Sequence, residues 1–407
     1  MERDRTTRRV AYIAGTFDTK GRELLFLKSC LEDAGVETTT VDLSTSGQSA
    51  QANVAPHHVA SFHPMGVDAV FTGDRGSAIT AMAEAFSHFL MSRDDIGGVV
   101  GAGGGGGTAL LAKGLQALPV GLPKIIVSTM ASGDVAHYVG SSDMTMMHSV
   151  TDVSGINRIS ERVLSNAAHA LAGMIAFRRD PPKDIKPAIG LTMFGVTTPC
   201  VQATARALES QYDCLVFHAT GVGGRSMEAL VDSGLLVGAL DITTTEVADF
   251  LFGGVLPCSP DRFAAFIRRK IPYVGSVGAV DMVNFGPIET VPERYRGRNL
   301  YIHNPQVTLM RTTAEENAKI GNWIAERLNL MDGPVRFLLP IAGVSLIDAP
   351  GKTFHDPAAD GALFEAIEAT FQPGPNRKLL KLPCAINDPD FVEALLTAFN
   401  EIAGASR

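Results

Sequence analysis

Residues 96–115 read IGGVVGAGGGGGTALLAKGL. An apolar run ends in Gly101, five unbroken glycines follow from Gly103 to Gly107, and Thr108 opens a segment with the apolar spacing of a helix. Strand, glycine loop and helix in that order bring backbone N–H groups to the positive end of a helix, with no side chains to hold an anion away. Five glycines in a row are entropically costly in any fold, and a merely flexible loop has no need of the strand and helix that flank them. Gly101, Gly103, Gly104, Gly105, Gly106, Gly107 and Thr108 are therefore expected to hold a phosphate-like group. The details narrow the type. Gly101, Gly103 and Gly106 satisfy G-x-G-x-x-G, yet the next strand, KIIVS at 124–128, ends without an acidic residue for a ribose hydroxyl, which weakens a dinucleotide reading. Gly107 rather than lysine precedes Thr108, and the nearest lysine is Lys113, so the motif is not a P-loop.

Outward from this stretch, short β-rich runs alternate with helical patterns along nearly the whole chain, which predicts βαβ units and mainly parallel sheets. Strands are expected at 10–14, 38–43, 69–72, 99–102 and 124–128, with helices over 22–34, 77–90, 108–117 and 157–177. The segment RRDPPKDIKP (178–187), with three prolines and six charges, interrupts both patterns. Beyond it the alternation restarts, with strands at 188–194, 214–218, 237–240, 273–277, 300–303 and 336–339. Helices follow at 200–209, 226–233, 314–329, 359–371 and 391–402. The expected fold is α/β, two Rossmann-like, doubly wound domains over 1–180 and 188–407. A length of 407 residues suits two domains, and 45% apolar with 19% charged residues is a globular composition. A net charge of −8 offers no broad basic surface for a nucleic acid backbone, so a small molecule is the expected ligand. The five cysteines (Cys30, Cys200, Cys214, Cys258, Cys384) are far apart with no C-x-x-C, which argues against a disulfide framework or zinc thiolate site and fits a reducing cytoplasm. No apolar run reaches the ~18 residues needed to span a bilayer.

Other loops fall at strand carboxyl ends, where open α/β sheets bind ligands. In GTFDTKGRE (15–23), Asp18 is a candidate Mg²⁺ ligand and Lys20 a phosphate contact, while Asp18 or Thr19 serves equally well as a helix cap. TGDRGSA (72–78) offers Asp74 and Arg75 with Ser77 as a cap, and STMASGD (128–134) offers Ser128 and Thr129. Met144, Met146 and Met147 read as core. His57, His58 and His63 read as loop residues rather than a metal site. In the second half, FHATGVGGRSME (217–228) is a weaker glycine loop, with Gly223, Gly224, Arg225 and Ser226 at a helix start. Thr197, Thr198, DITTTE (241–246), VDMVNFG (280–286) and HNPQ (303–306) also lie near strand ends, each with a capping or turn explanation open beside a binding one. His218, Asp241 and His303 are the weak acid–base candidates.

Taken together, GTFDTKGREL, TGDRG, GAGGGGGT, VSTMASGDVAHYVGSSDM, DVSGINRIS, FHATGVGGRSME, DITTTEVAD, AVDMVNFG and HNPQVTLMRTT resemble the ATP-binding family typified by the tomato resistance protein against tomato mosaic virus. The resemblance runs nearly end to end. It implies two Rossmann-like subdomains, ATP in the first with its phosphates on the glycine loop, and a homodimer; Mg²⁺ is the cofactor expected beside ATP, from Asp18. In the plant protein this region inhibits viral RNA replication by binding the viral replication protein. The family loop often carries serine where this chain has Gly105. The plant member continues into a TIM-barrel-like domain related to phosphoenolpyruvate hydrolases, so a separate barrel protein is an expected partner here. The functional expectation is an ATP-binding enzyme acting on a small acidic metabolite at a cleft between the domains. The alternative is a non-enzymatic, nucleotide-dependent binding protein.

Overall fold

The computed structural model describes residues 9–46, 51–179 and 185–404. Residues 180–184, the middle of the proline-rich segment, lie outside them. The chain divides into two compact units, Met1–Pro181 and Pro182–Arg407. No helix among the described residues is long and apolar enough to cross a membrane.

The first unit carries five parallel strands, β1 (Val10–Gly15), β2 (Thr38–Asp42), β3 (Ile96–Gly103), β4 (Lys124–Ser128) and β5 (Thr145–His148), in the order β2-β1-β3-β4-β5. Its helices are α1 (Phe17–Asp33), α2 (Pro56–Ala60), α3 (Arg75–Met91), α4 (Gly105–Gln116), α5 (Ala136–Val139) and α6 (Arg158–Ala176). Leu24, Leu27 and Leu31, spaced to one side of α1, bury with Leu164, Ala168 and Leu171 of α6 on one sheet face. Met82, Phe86 and Phe89 of α3 bury with Leu111 and Leu115 of α4 on the other. From β1 the chain steps outward to β2 and then back across to β3. This order opens a crevice at the carboxyl ends of β1 and β3, the switch point where doubly wound sheets take ligands.

The strand expected at 69–72 does not form. Val67–Ala69 is a 3-10 turn entered through Gly66 at φ +85°, Val70 is buried, and Phe71 stacks on His57 at 4.4 Å between ring centres. The apolar run is satisfied by side-chain packing rather than by a ladder. His57 and His58 sit on α2 rather than in a loop, and buried His63 accepts the Met65 N–H at 3.1 Å through Nδ1. Met146 and Met147 lie in β5, an edge strand missed because it is short and only partly buried.

The second unit repeats the plan. Its strands β6 (Ala188–Met193), β7 (Asp213–His218), β8 (Gly238–Thr243) and β9 (Tyr273–Gly278) form one parallel sheet with two later strands. A separate antiparallel sheet contains β10 (Met282–Phe285), β11 (Leu300–Asn304) and β12 (Val307–Arg311), and β13 (Val335–Pro340) and β14 (Arg377–Leu382) then complete the large one. The large sheet runs β14-β13-β9-β8-β6-β7, so its second strand also lies outside its first and the order also reverses after it. The helices are α7 (Thr198–Leu208), α8 (Val222–Asp232), α9 (Thr245–Phe252), α10 (Ala264–Arg269), α11 (Ala314–Asn329), α12 (Pro357–Thr370) and α13 (Pro389–Ala403). VDMVNFG, expected at a strand end, is largely β10 itself, because Asn284 is buried against Asp249 rather than facing a cleft. HNPQ is the exposed end of a hairpin: the Asn304 side chain accepts the Gln306 N–H at 2.8 Å.

Candidate functional site

A pocket of about 450 Å³ occupies the switch point of the first unit, within the size range of small-ligand sites. Thr16, Asp18, Thr19 and Lys20 line it from the end of β1, Thr45 and Ser46 from the end of β2, Gly73, Asp74 and Arg75 from the start of α3, and Gly103 to Gly107 from the end of β3. Three helices begin here, α1, α3 and α4.

Their first turns differ in what they have left to offer. At α1, the Phe17 N–H donates to Asp42 Oδ1 at 3.2 Å and the Asp18 N–H to Ser44 Oγ at 3.2 Å. At α3, the Ser77 N–H donates to Asp74 Oδ2 at 2.9 Å. At α4 the cap residue is Gly104, which has no side chain to accept, and the N–H groups of Gly105, Gly106 and Gly107 make no hydrogen bond among the described residues. Orphan donors of this kind end on caps, water or ligands. The glycines are not demanded by the backbone, since none from Gly103 to Gly107 has positive φ. Packing does not demand the last four either. A Cβ at Gly107 would meet nothing within 4 Å, and at Gly104, Gly105 and Gly106 the nearest atoms would be 3.8, 3.8 and 3.4 Å away. The first turn of α4 is thus bare on its pocket side without any internal reason.

The second glycine loop looks similar in sequence and is different in structure. A Cβ at Gly223 would stand 1.8 Å from the His218 carbonyl oxygen, and one at Gly224 would stand 2.1 Å from Glu246 Oε1. Glu246 is fully buried, and its Oε2 accepts the Gly221 N–H at 2.7 Å. The anion at the N-terminus of α8 is therefore the protein's own carboxylate. Arg262 neutralises it at 2.5 Å, holds Asp241 with two contacts of 2.8 Å, and reaches Glu228 at 3.0 Å. Asp241 also accepts from Thr192 at 2.7 Å and Tyr273 at 3.0 Å. Burial among carboxylates pushes the Tyr273 hydroxyl well up.

These contacts correct several expectations. Gly223 and Gly224 are packing glycines, and Ser226 donates to the Val222 carbonyl within its own helix at 2.9 Å. Thr197 is buried against Thr243 at 2.8 Å, and Thr198 donates to the Phe194 carbonyl at 3.2 Å. Asp241 is an ion-pair partner with no exposure. His218 lies edge-on to Phe194 at the end of β7, whereas His303 lies beside Tyr301 in the small sheet, so no acid–base pair forms. Arg225 remains exposed on α8. In the first unit, Gly101 is a strand glycine: a Cβ there would stand 2.6 Å from both the Ala14 carbonyl oxygen and Leu111. Thr108 and Ser128 are buried and hydrogen-bonded to each other at 2.6 Å, tying α4 to β4 instead of facing the pocket. Thr129 lies outside the pocket lining with its hydroxyl 3.8 Å from the Cβ position of Gly104.

Lys20 lines the pocket at a kink in α1 (φ −125°, ψ 17°), and its ammonium donates to the Val153 carbonyl. Three residues on, buried Glu23 accepts the Gly155 N–H at 2.5 Å. Asp18 accepts from Ser46 at 2.8 Å. Thr16 and Thr19 share a hydroxyl hydrogen bond at 2.9 Å. The reading from sequence missed Thr16, Thr45, Ser46 and, behind them, Asp42. Asp42 Oδ1 accepts from Phe17 and from Ser44, while its Oδ2 is buried without a partner among the described residues. An acid closing the second strand, Asp42 in TTTVD, is the signal the sequence carries for it.

The family's N-terminal domain profile, described as Uncharacterised protein family (UPF0261), matches residues 9–180, and its C-terminal domain profile matches residues 186–403. A UPF0261 protein of Rhizobium meliloti is 58% identical over 393 residues, covering 96% of this chain and 98% of that one. One from Clostridium tetani is 45% identical over 389 residues, covering 94% and 96%. The ToMV resistance protein Tm-1(GCR237) of Solanum lycopersicum is 44% identical over 422 residues, covering 97% of this chain but 56% of the tomato protein. Matched by both domain profiles and by relatives over nearly its whole length, the chain belongs to the UPF0261 family.

Proposed function

We propose that the first domain binds ATP with Mg²⁺, its phosphates on the N–H groups of Gly105, Gly106 and Gly107. The observation that carries this is the contrast between the two glycine loops. Where the second domain supplies Glu246 from within, the first leaves donors and space unfilled at the same kind of helix terminus. A phosphate there gains the helix dipole and charge-assisted hydrogen bonds together.

Mg²⁺ fits the donor chemistry. No cluster of three metal-ligating side chains occurs among the described residues, and this ion commonly takes one or two carboxylates plus nucleotide phosphates. On this reading Asp18 would exchange its contact with Ser46 for the ion. The other lining carboxylate, Asp74, is held by the Ser77 N–H at the start of α3. A small acidic substrate gripped by Arg225 has less support, since Glu246 fills the helix terminus beside it.

The test is thermal unfolding with ATP·Mg²⁺ and, separately, with NAD. At 100 times its dissociation constant a ligand adds about 2.7 kcal/mol to the folded state. ATP should raise the melting temperature and NAD should not. Equal stabilisation by NAD, or none by ATP, rejects the assignment.

A further inference from the structure

We infer that Arg75 reads the terminal phosphate of the bound nucleotide and makes the site prefer ATP to ADP. This rests on the ATP reading above and concerns what that site can tell apart.

The segment Thr72–Ser77 is an exposed turn held together by its own side chains, with Arg75 exposed among them. Thr72 Oγ1 shares a hydrogen bond with Ser77 Oγ at 2.8 Å, the Asp74 N–H donates to Thr72 Oγ1 at 3.3 Å, and Asp74 Oδ2 accepts the Ser77 N–H at 2.9 Å. Each polar side chain of the turn is thus satisfied inside it except Arg75, which makes no ion pair or hydrogen bond among the described residues. Its position does not serve the helix. Arg75 is the first residue of a 17-residue helix, and a cation at that end is mildly unfavourable. Its Nη2 stands 3.9 Å from the Cβ position of Gly106, beside the first turn of α4.

The second domain contains the completed version of this arrangement. There Arg262 Nε stands 3.0 Å from the Cβ position of Gly224 and grips the carboxylate seated on the N-terminus of α8. One helix terminus with an arginine closing over its anion is already built in this chain, with the anion supplied by Glu246. Arg75 is the corresponding cation for an anion from solution. The rest of the pocket gives the ligand a direction. Thr16, Thr19, Thr45 and Ser46 gather hydroxyls at the ends of β1 and β2, suited to a sugar. The phosphate chain then runs toward α4, and its last member lies between the α4 N–H groups and Arg75. The guanidinium presents a planar fork for two phosphate oxygens, a geometry lysine lacks.

The experiment is calorimetric titration of ATP·Mg²⁺ and ADP·Mg²⁺ into the wild type, Arg75→Gln and Arg75→Lys, with melting temperatures of the ligand-free proteins measured alongside. The wild type should bind ATP at least tenfold more tightly than ADP. In Arg75→Gln the ratio should fall about tenfold, the rest of the preference staying with the α4 N–H groups, with ADP affinity within twofold of wild type, and the ligand-free protein should melt no lower than wild type. Arg75→Lys should keep only part of the preference. If Arg75→Gln weakens ATP and ADP by the same factor, Arg75 contacts an inner phosphate or merely attracts anions, and the inference is wrong. Unchanged affinities for both nucleotides also overturn it while leaving the ATP site standing. A wild type that binds neither nucleotide removes both readings.

Discussion

Replacing Gly105 and Gly107 together by alanine should strengthen the fold and disable the site. Neither glycine has positive φ, and the added methyl groups would meet nothing closer than Met130 Sδ at 3.8 Å. Alanine in place of glycine within a helix is worth up to about 1 kcal/mol per position. Position in the first turn reduces this, so a combined gain of roughly 1 kcal/mol is expected, which is about 2–4 °C for a domain of this size. For the ligand the sign reverses. Hydrogen bonds to a charged group contribute about 1.5–3 kcal/mol each, and side chains in the first turn of α4 narrow the approach of a phosphate to two donors. The expected loss of ATP affinity is therefore on the order of 100-fold to 10,000-fold, at 1.4 kcal/mol per tenfold. Differential scanning calorimetry without ligand and titration calorimetry with ATP·Mg²⁺ measure the two halves separately. ATP affinity within a few-fold of wild type refutes the assignment of these donors. A lower melting temperature without ligand refutes the claim that the glycines have no internal role.

The second glycine loop should respond in the opposite way: Gly223→Ala, which puts a methyl group 1.8 Å from the His218 carbonyl oxygen, should lower the melting temperature markedly, and a neutral result would mean that the turn relaxes freely. Glu246→Ala should destabilise the second domain by about 3–5 kcal/mol, as for one partner removed from a buried ion pair, and formate in the buffer should restore part of the loss; no rescue would show that the helix terminus does not bind a free anion. Stability should also fall as pH rises from about 6 to 8. Burial pushes Asp249 up to about 7, and burial with neighbouring Asp281 and Asp360 pushes Asp348 up to about 8, so the folded state keeps protons that the unfolded chain has already released. Asp348→Asn should flatten that slope in a melting series, and a slope unchanged by the substitution would place the titration elsewhere. Lys20→Met should weaken ATP binding about tenfold if the ammonium moves from Val153 to a phosphate, and unchanged affinity would mean that it stays on Val153.

Fold class was legible because the relevant signals are local. β1, β3, β4, β6 and β9 are apolar runs followed by turn residues, and the helices between them carry regular apolar spacing. What escaped depends on partners distant in sequence. Val70 and Phe71 look like a strand and are buried without a ladder, while β10 and β12 look like loops because Asn284 and Arg311 interrupt them with groups whose partners, Asp249 and Asp360, lie elsewhere in the chain. At the site, the first glycine loop and Arg75 could be picked out from residue type alone. Composition could not separate it from the second loop, because Glu246 lies 22 positions beyond Gly224 and nothing local shows that its carboxylate returns there. Thr108 and Ser128 misled for the same reason: a hydroxyl at a strand end reads alike whether it faces a ligand or another hydroxyl.

The carboxylate of Glu246 is tethered, and tethering fixes its effective concentration. Its contact with Gly221 forms whenever the second domain folds, at any dilution and in any cell state. On the proposed reading the first domain draws its corresponding anion from solution, so its resistance to opening follows the logarithm of free nucleotide above the dissociation constant. One polypeptide then holds a half with constant stability and a half whose lifetime against proteolysis is set by supply. A fall in nucleotide would be registered first as exposure of the first domain to degradation, with no dedicated sensor beyond four bare glycines and an arginine unpaired among the described residues.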